Sequence, residues 1–512
     1  MAAPLRDGQA SFAGGLNTVS DDIALQPNQV RLAQNARLTD YGAVIKRYGS
    51  VTLASANLGA SVRNGFSWFK DNGDVQGLAV AGNTLYTINM LATPGTTAWT
   101  AATGGTFSTT VTPSFASFRN TAGADVVFIA DGGLLSFWNG TTITADIAST
   151  QDVTFLKVHN QRLWGAGSST YPDSIFYSAL NDGQKFAHDG GGQIVVRTFG
   201  DEKIVGLASV GSSLLIFHRR GISRLTGFGQ DDTTVQPEGV STQTGTIAPL
   251  SIVEADGVAY FISDRGAFVA SEGGVAPVGT PTTPDPILPL VRSLSTTTLA
   301  NVRGVLSRKT QEVWWFIPGY GVYIYHLILR AWSGPWIGEY LTTASMWQSL
   351  AGASAESFVI RGDTTGAVTV SDYYGAHSDG ATVSDPNSGD PIIMQVQLRR
   401  LYFGDDSVAK SFRYGYLTAV IPGGSTVTVD WTSNFGSYTQ KTLTAPAGGT
   451  WDAPGAVWDA AGAVWGTAGG SQSYRAQMAG QGYYVDVTLG HSGYNEPVIS
   501  RWLMDGNPLG RR

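Results

Sequence analysis

From about residue 60 onward the chain repeats one phrase: an apolar run hydrophobic at alternate positions, a turn of Gly, Asn or Asp, then a second run rich in aromatic residues. Val126, Phe128 and Ala130 illustrate the period of two, which sets side chains on one face of a half-buried strand. Seven units can be counted, starting near Phe66, Phe115, Phe155, Ile204, Ser251, Val302 and Phe358. They recur about every 40 to 55 residues, the spacing of a four-stranded blade. Radial closure protects the edges of many short strands, so the pattern predicts an all-β chain with a β-propeller over residues 61–374, of about seven blades with six also compatible. Unrelated hairpins arranged as two sandwich domains are the competing arrangement.

The pattern changes past Tyr373. Residues 375–390, within "GAHSDGATVSDPNSGDP", read as a polar linker, and five longer strands with turn-rich spacers over 391–512 predict a C-terminal β-sandwich. Inside it Trp451, Trp458 and Trp465 stand seven apart, but Pro454, Gly455 and Gly462 argue against a helix that would align them. The stretch reads as a loop anchored by tryptophans, with a carbohydrate-stacking surface as the other reading.

Residues 1–60 differ from both. Pro27 suits the first turn of a helix, and Val30, Ala33 and Leu38 mark an apolar side, so a short helix is expected there. "ARLTDYGAVIKRYG" then predicts a β-hairpin ending on Lys46 and Arg47. A helix of about 12 residues is marginal alone. The segment is therefore expected to be a docked arm or the strand that closes the propeller, which would keep its own core without residues 1 to 35.

Composition sharpens this picture. Of 512 residues only 14% are charged, against roughly 25% in soluble domains, so Ser, Thr, Asn, Gln and Gly must cover much of the surface. The 65 glycines serve turns rather than disorder, because aromatic residues are plentiful. A net charge of -7 argues against a dedicated high-affinity nucleic-acid binder, though not against a surface that DNA slides past. The absence of cysteine excludes disulfides, thiolate catalysis and Cys-ligated zinc. No signal-like segment and no apolar run long enough to span a bilayer appears, which predicts a soluble chain.

No catalytic, cofactor or metal constellation emerges. His159, His188, His218, His326, His377 and His491 are scattered over different units, and no phosphate-binding loop, dinucleotide fingerprint or nucleophile elbow occurs. "SDRGAF", Ser263 to Phe268, is a faint match to the Asp-box of propeller sialidases but reads better as a hairpin turn. A carboxylate pair for glycoside hydrolysis could still be formed among the 39 acidic residues.

"FAGGLNT", the run ending "LQPNQVRLAQNARL", and "GAVIKRYG" together resemble the N-terminus of tail nozzle, or packaged-DNA stabilisation, proteins of short-tailed phages. The matching residues are Phe12, Gly14, Gly15, Leu16, Asn17, Pro27, Asn28, Asn35, Gly42, Arg47 and Gly49, about a tenth of the chain. The resemblance implies a non-enzymatic virion protein, made in the bacterial cytoplasm and carried in the tail. It implies a propeller with accessory β domains in a homo-hexameric ring below the portal and adaptor, retaining packaged DNA and conducting it during ejection. Implied partners are portal or adaptor proteins, tail fibre or tail-tip proteins, and double-stranded DNA in transient, non-specific contact. No cofactor is implied. Phe12, Gly14, Gly15, Leu16, Asn17, Pro27, Asn35 and Arg47 are expected at the subunit or adaptor junction. The alternative is a propeller carbohydrate-active protein, either glycoside hydrolase or lectin.

Overall fold

The computed structural model describes residues 5–148, 150–186, 190–199, 202–226, 237–280, 284–352, 356–423, 425–444 and 471–509. Trp451, Trp458 and Trp465 lie outside the described residues.

Seven antiparallel sheets arise in turn along the chain, each begun by an innermost strand: Val62–Phe69, Ser114–Arg119, Phe155–His159, Ile204–Val210, Val253–Ala255, Arg303–Ser307 and Thr343–Ala351. Each innermost strand packs on the next, and Thr343–Ala351 packs on Val62–Phe69, so the circle closes and the architecture is a β-propeller. Between neighbouring blades sit buried apolar clusters such as Phe118, Phe128, Leu156 and Phe176. Six of the innermost strands start within a few residues of the sequence-based positions. The seventh does not, since Phe358 lies on the second strand of its blade, Glu356–Asp363. Ser345, Gln348 and Ser349 make its first strand, "TASMWQSLA", look too polar to begin a unit.

Closure comes from far upstream. The outer strand of the seventh blade is Val51–Thr52, paired antiparallel with Val368–Ser371. "SDRGAF" is a hairpin turn, with Ser263 opposite Gly266.

The second body is a sandwich of two sheets. One has the order Ala36–Leu38, Val44–Lys46, Val498–Pro508, Lys410–Val420, Gln472–Gly482, with Leu5–Gln9 also paired to Val498–Pro508. The other runs Gln29–Gln34, Met394–Leu398, Val485–His491, Thr426–Ser433, and continues into the sixth blade where Ala33 lies opposite Gly334. Phe12, Val30, Val44, Leu398, Leu417, Trp431, Leu489 and Trp502 form the core between them.

The expected helix over Pro27–Leu38 is therefore absent. Gln29–Gln34 and Ala36–Leu38 are strands, because pairing with Met394–Leu398 and Val44–Lys46 outweighs a weak local helix preference. The N-terminal segment is not an arm laid on a finished fold: it supplies strands to both sandwich sheets and one to the propeller. The stretch expected as a linker also carries a two-strand ribbon, Ser378–Asp379 with Asp390–Pro391.

Candidate functional site

The residues expected at an assembly junction converge, but on a junction inside the chain. Asn35 is the corner. With φ of 50° it turns the chain out of one sandwich sheet and into the other. Its Nδ2 donates to the Ile393 carbonyl at 2.8 Å, and its Oδ1 accepts from the Ile337 amide at 2.9 Å and from Arg47 Nε at 3.1 Å. One side chain thus holds the sandwich, the end of the sixth blade and the next strand.

Two buried guanidinium groups complete the junction. Arg47 forks onto both carboxylate oxygens of Asp379 at 2.6 Å, donates to the Ile337 carbonyl at 3.0 Å and lies over the rings of Tyr340 and Trp336. Arg37 reaches Glu312 and Asp372 and lies over the Trp336 ring as well. Trp336 Nε1 donates to the Ala36 carbonyl at 3.0 Å. Burial disfavours both positive charges, but the facing carboxylates outweigh it and hold Arg37 and Arg47 above their ordinary values. Burial pushes the carboxyls of Asp372 and Glu339 up. Glu339 is held by Arg361 at 2.9 Å and by the Ser50 hydroxyl at 2.7 Å.

Lys46, also buried, donates to the carbonyls of Gly493 at 2.9 Å and Tyr494 at 2.7 Å, with Glu496 3.9 Å away. Burial pushes its ammonium down to about 8.

The remaining predicted residues, Pro27 apart, are buried near the same junction or in the adjoining sandwich core. Phe12 is fully buried in the sandwich core, and Leu16 packs in a cluster with Trp315 and Trp332. The Asn17 amide donates to the Gln29 side chain at 2.9 Å. Gly14 lies against Asn28, and Gly15, at φ of 65°, against the Trp332 carbonyl. Gly49 passes so near the Ser378 backbone that no Cβ would fit. Of the eight residues expected at an assembly junction, Pro27 alone is exposed in the single chain.

A second feature had no signal in the sequence. Around the start of the fourth innermost strand a groove of about 620 Å³ is lined by the apolar Phe155, Val205, Ile247 and Pro249 and by the cations Lys203, Arg219 and Arg220. Glu202 is its lining carboxylate among the described residues. A smaller cavity of about 250 Å³ shares Phe155, Pro249 and Ala300 with it and adds Ser114, Thr154 and Asn301. Three consecutive innermost strands are tied together nearby: Lys157 on the third blade meets Glu254 on the fifth at 2.6 Å, and Glu254 also accepts from the Ser209 amide of the fourth at 2.7 Å. Among the described residues no group of His, Asp and Glu could hold a metal ion, and no helix is long and apolar enough to cross a membrane.

No family model and no curated protein matches the chain. Among solved structures, the extracellular domain of a one-component system from B. thetaiotaomicron has 9% identity and a TM-score of 0.41, over 64% of this chain and 40% of that one. PorZ, a surface component of the type-IX secretion system of Porphyromonas gingivalis, has 12% identity and a TM-score of 0.39, over 78% of this chain and 58% of that one. The chain thus spans less than two thirds of either protein, and likenesses this loose carry no argument about what it does.

Proposed function

We propose that this chain is a structural subunit of a phage tail, a nozzle component that assembles as a hexameric ring below the portal and adaptor, retains the packaged DNA and conducts it on ejection. The reading starts from the resemblance of the N-terminal motif. The observation that supports it most is the location of that motif, at the buried junction joining propeller to sandwich. A subunit under load from a pressurised genome needs its two bodies fixed to each other. Continuous sheet pairing at Ala33 and Gly334, with the forked Arg47–Asp379 pair beside it, supplies such a connection.

In this reading the subunit does no chemistry, and duplex DNA passes between copies rather than through one propeller. Head-to-tail contacts around a ring join two different patches of the same chain, and polar, water-bridged patches suit a surface poor in charge. Negative-stain images of the purified full chain, alone and with its portal and adaptor, test the proposal. Rings that cap the adaptor are the expected result, and separate particles under both conditions would overturn it.

A further inference from the structure

The groove over the fourth blade carries cations that form no ion pair among the described residues. Most arginines of the described structure are committed to carboxylates or carbonyls, as Arg37, Arg47, Arg361 and Arg400 are. Among the described residues, Lys203, Arg219 and Arg220 are exposed and form no ion pair, although the chain as a whole is acidic.

These cations sit on a braced turn. The His218 amide donates to the Gly221 carbonyl at 2.9 Å, closing the loop that presents Arg219 and Arg220. The Thr246 amide donates to the His218 carbonyl at 2.9 Å, and Gly245 lies so close to that carbonyl that a Cβ would stand 2.1 Å from it. Buried His218 bonds through Nδ1 to the Glu202 carbonyl at 3.2 Å, tying the stretch that carries Lys203 to the same support. Two guanidinium forks and an ammonium thereby line a groove that Phe155, Val205, Ile247 and Pro249 line as well.

We propose that this groove binds an acidic saccharide, a sugar ring bearing a carboxylate or a phosphate. Guanidinium forks match either anion through paired hydrogen bonds, and the apolar lining residues suit the hydrophobic face of a pyranose. The volume of about 620 Å³ is that of a small-molecule site and takes one or two rings. Ser114, Thr154 and Asn301 in the adjoining cavity supply hydroxyl and amide partners for a further ring. Duplex DNA fits less well. It calls for an extended basic face, whereas this site is concave, includes Glu202, and belongs to a chain of net charge -7.

Calorimetric titration of the full chain with digalacturonate, glucosamine 6-phosphate, neutral cellobiose, inorganic phosphate and a short DNA duplex tests this. At least one acidic sugar should bind at least tenfold more tightly than cellobiose and than inorganic phosphate, with the stronger of the two identifying the anion. Arg219→Ala combined with Arg220→Ala should weaken that binding at least tenfold with an unchanged melting transition, while Glu202→Gln should strengthen it. Equal affinity for neutral and acidic sugars, indifference to the arginine changes, or tightest binding to DNA or bare phosphate would each overturn the assignment. Saccharide binding does not depend on ring formation, so titration and imaging can fail separately.

Discussion

Arg47 and Asp379 meet through two hydrogen bonds of 2.6 Å across 332 residues of sequence, with the arginine fully buried. Breaking such a pair from one side strands a charge away from water. Asp379→Asn should therefore destabilise the chain by about 3 to 5 kcal/mol. Removing both charges, with Arg47→Met and Asp379→Leu together, should cost clearly less than the two single changes summed, since no charge is left unpaired. Urea unfolding of Asp379→Asn, of Arg47→Met and Asp379→Leu singly, and of the double variant measures this, and strict additivity would mean that the two groups are not coupled.

Lys46 gives the junction a pH dependence of definite sign. Its ammonium is pushed down to about 8 when folded, against 10.5 as the ordinary value, so between those limits the unfolded chain binds the extra proton. Stability from this site therefore rises with pH across that window, by up to about 1.4 kcal/mol per pH unit. The unfolding free energy of the native chain relative to Lys46→Met should climb from pH 8 to pH 10. A flat difference would show that Lys46 is better solvated than its surroundings indicate.

Gly15 and Gly73 both have left-handed backbones, with φ of 65° and 89°. A Cβ at Gly15 would stand 2.4 Å from the Trp332 carbonyl, whereas one at Gly73 meets open space. Gly73→Ala should incur only the backbone term, about 1 to 2 kcal/mol. Gly15→Ala should exceed it and lower the melting temperature further, which parallel thermal scans of the two variants would detect.

Deleting residues 1 to 35 removes Leu5–Gln9 and Gln29–Gln34 from the two sandwich sheets, Phe12 and Val30 from their core, and Asn35 from the corner. The truncated chain should lose its cooperative melt or fail to accumulate in soluble form, in contrast to the sequence-based expectation of an intact propeller. A normal transition after truncation would mean that the rest of the fold stands without those strands.

The propeller was legible because each blade is local. Period-two alternation, as at Val126, Phe128 and Ala130, and the turn after it lie within one short stretch, so a reading along the chain meets them together. The junction was not legible, since its partners are distant. Nothing near Arg47 announces Asp379, and nothing near Val30 announces the strand Met394–Leu398 that makes it a strand as well. Pro27 and the spacing of Val30 and Ala33 suggested a helix for the same reason: local preference is all that a local reading can weigh. Lys203, Arg219 and Arg220 escaped because a groove gathered from several blades has no linear signature.

The closure of the seventh blade by Val51–Thr52, and the pairing of Leu5–Gln9 with Val498–Pro508, set a timetable for synthesis. These strands leave the ribosome several hundred residues ahead of their partners. At about 5 to 20 residues per second, those edges remain without their partners for roughly a quarter of a minute to more than a minute. Throughout that interval Leu16, Val30 and Val44 lack the surfaces that finally cover them. A nascent chain halted before Val368–Ser371 would therefore carry open strand edges at both its sandwich and its last blade.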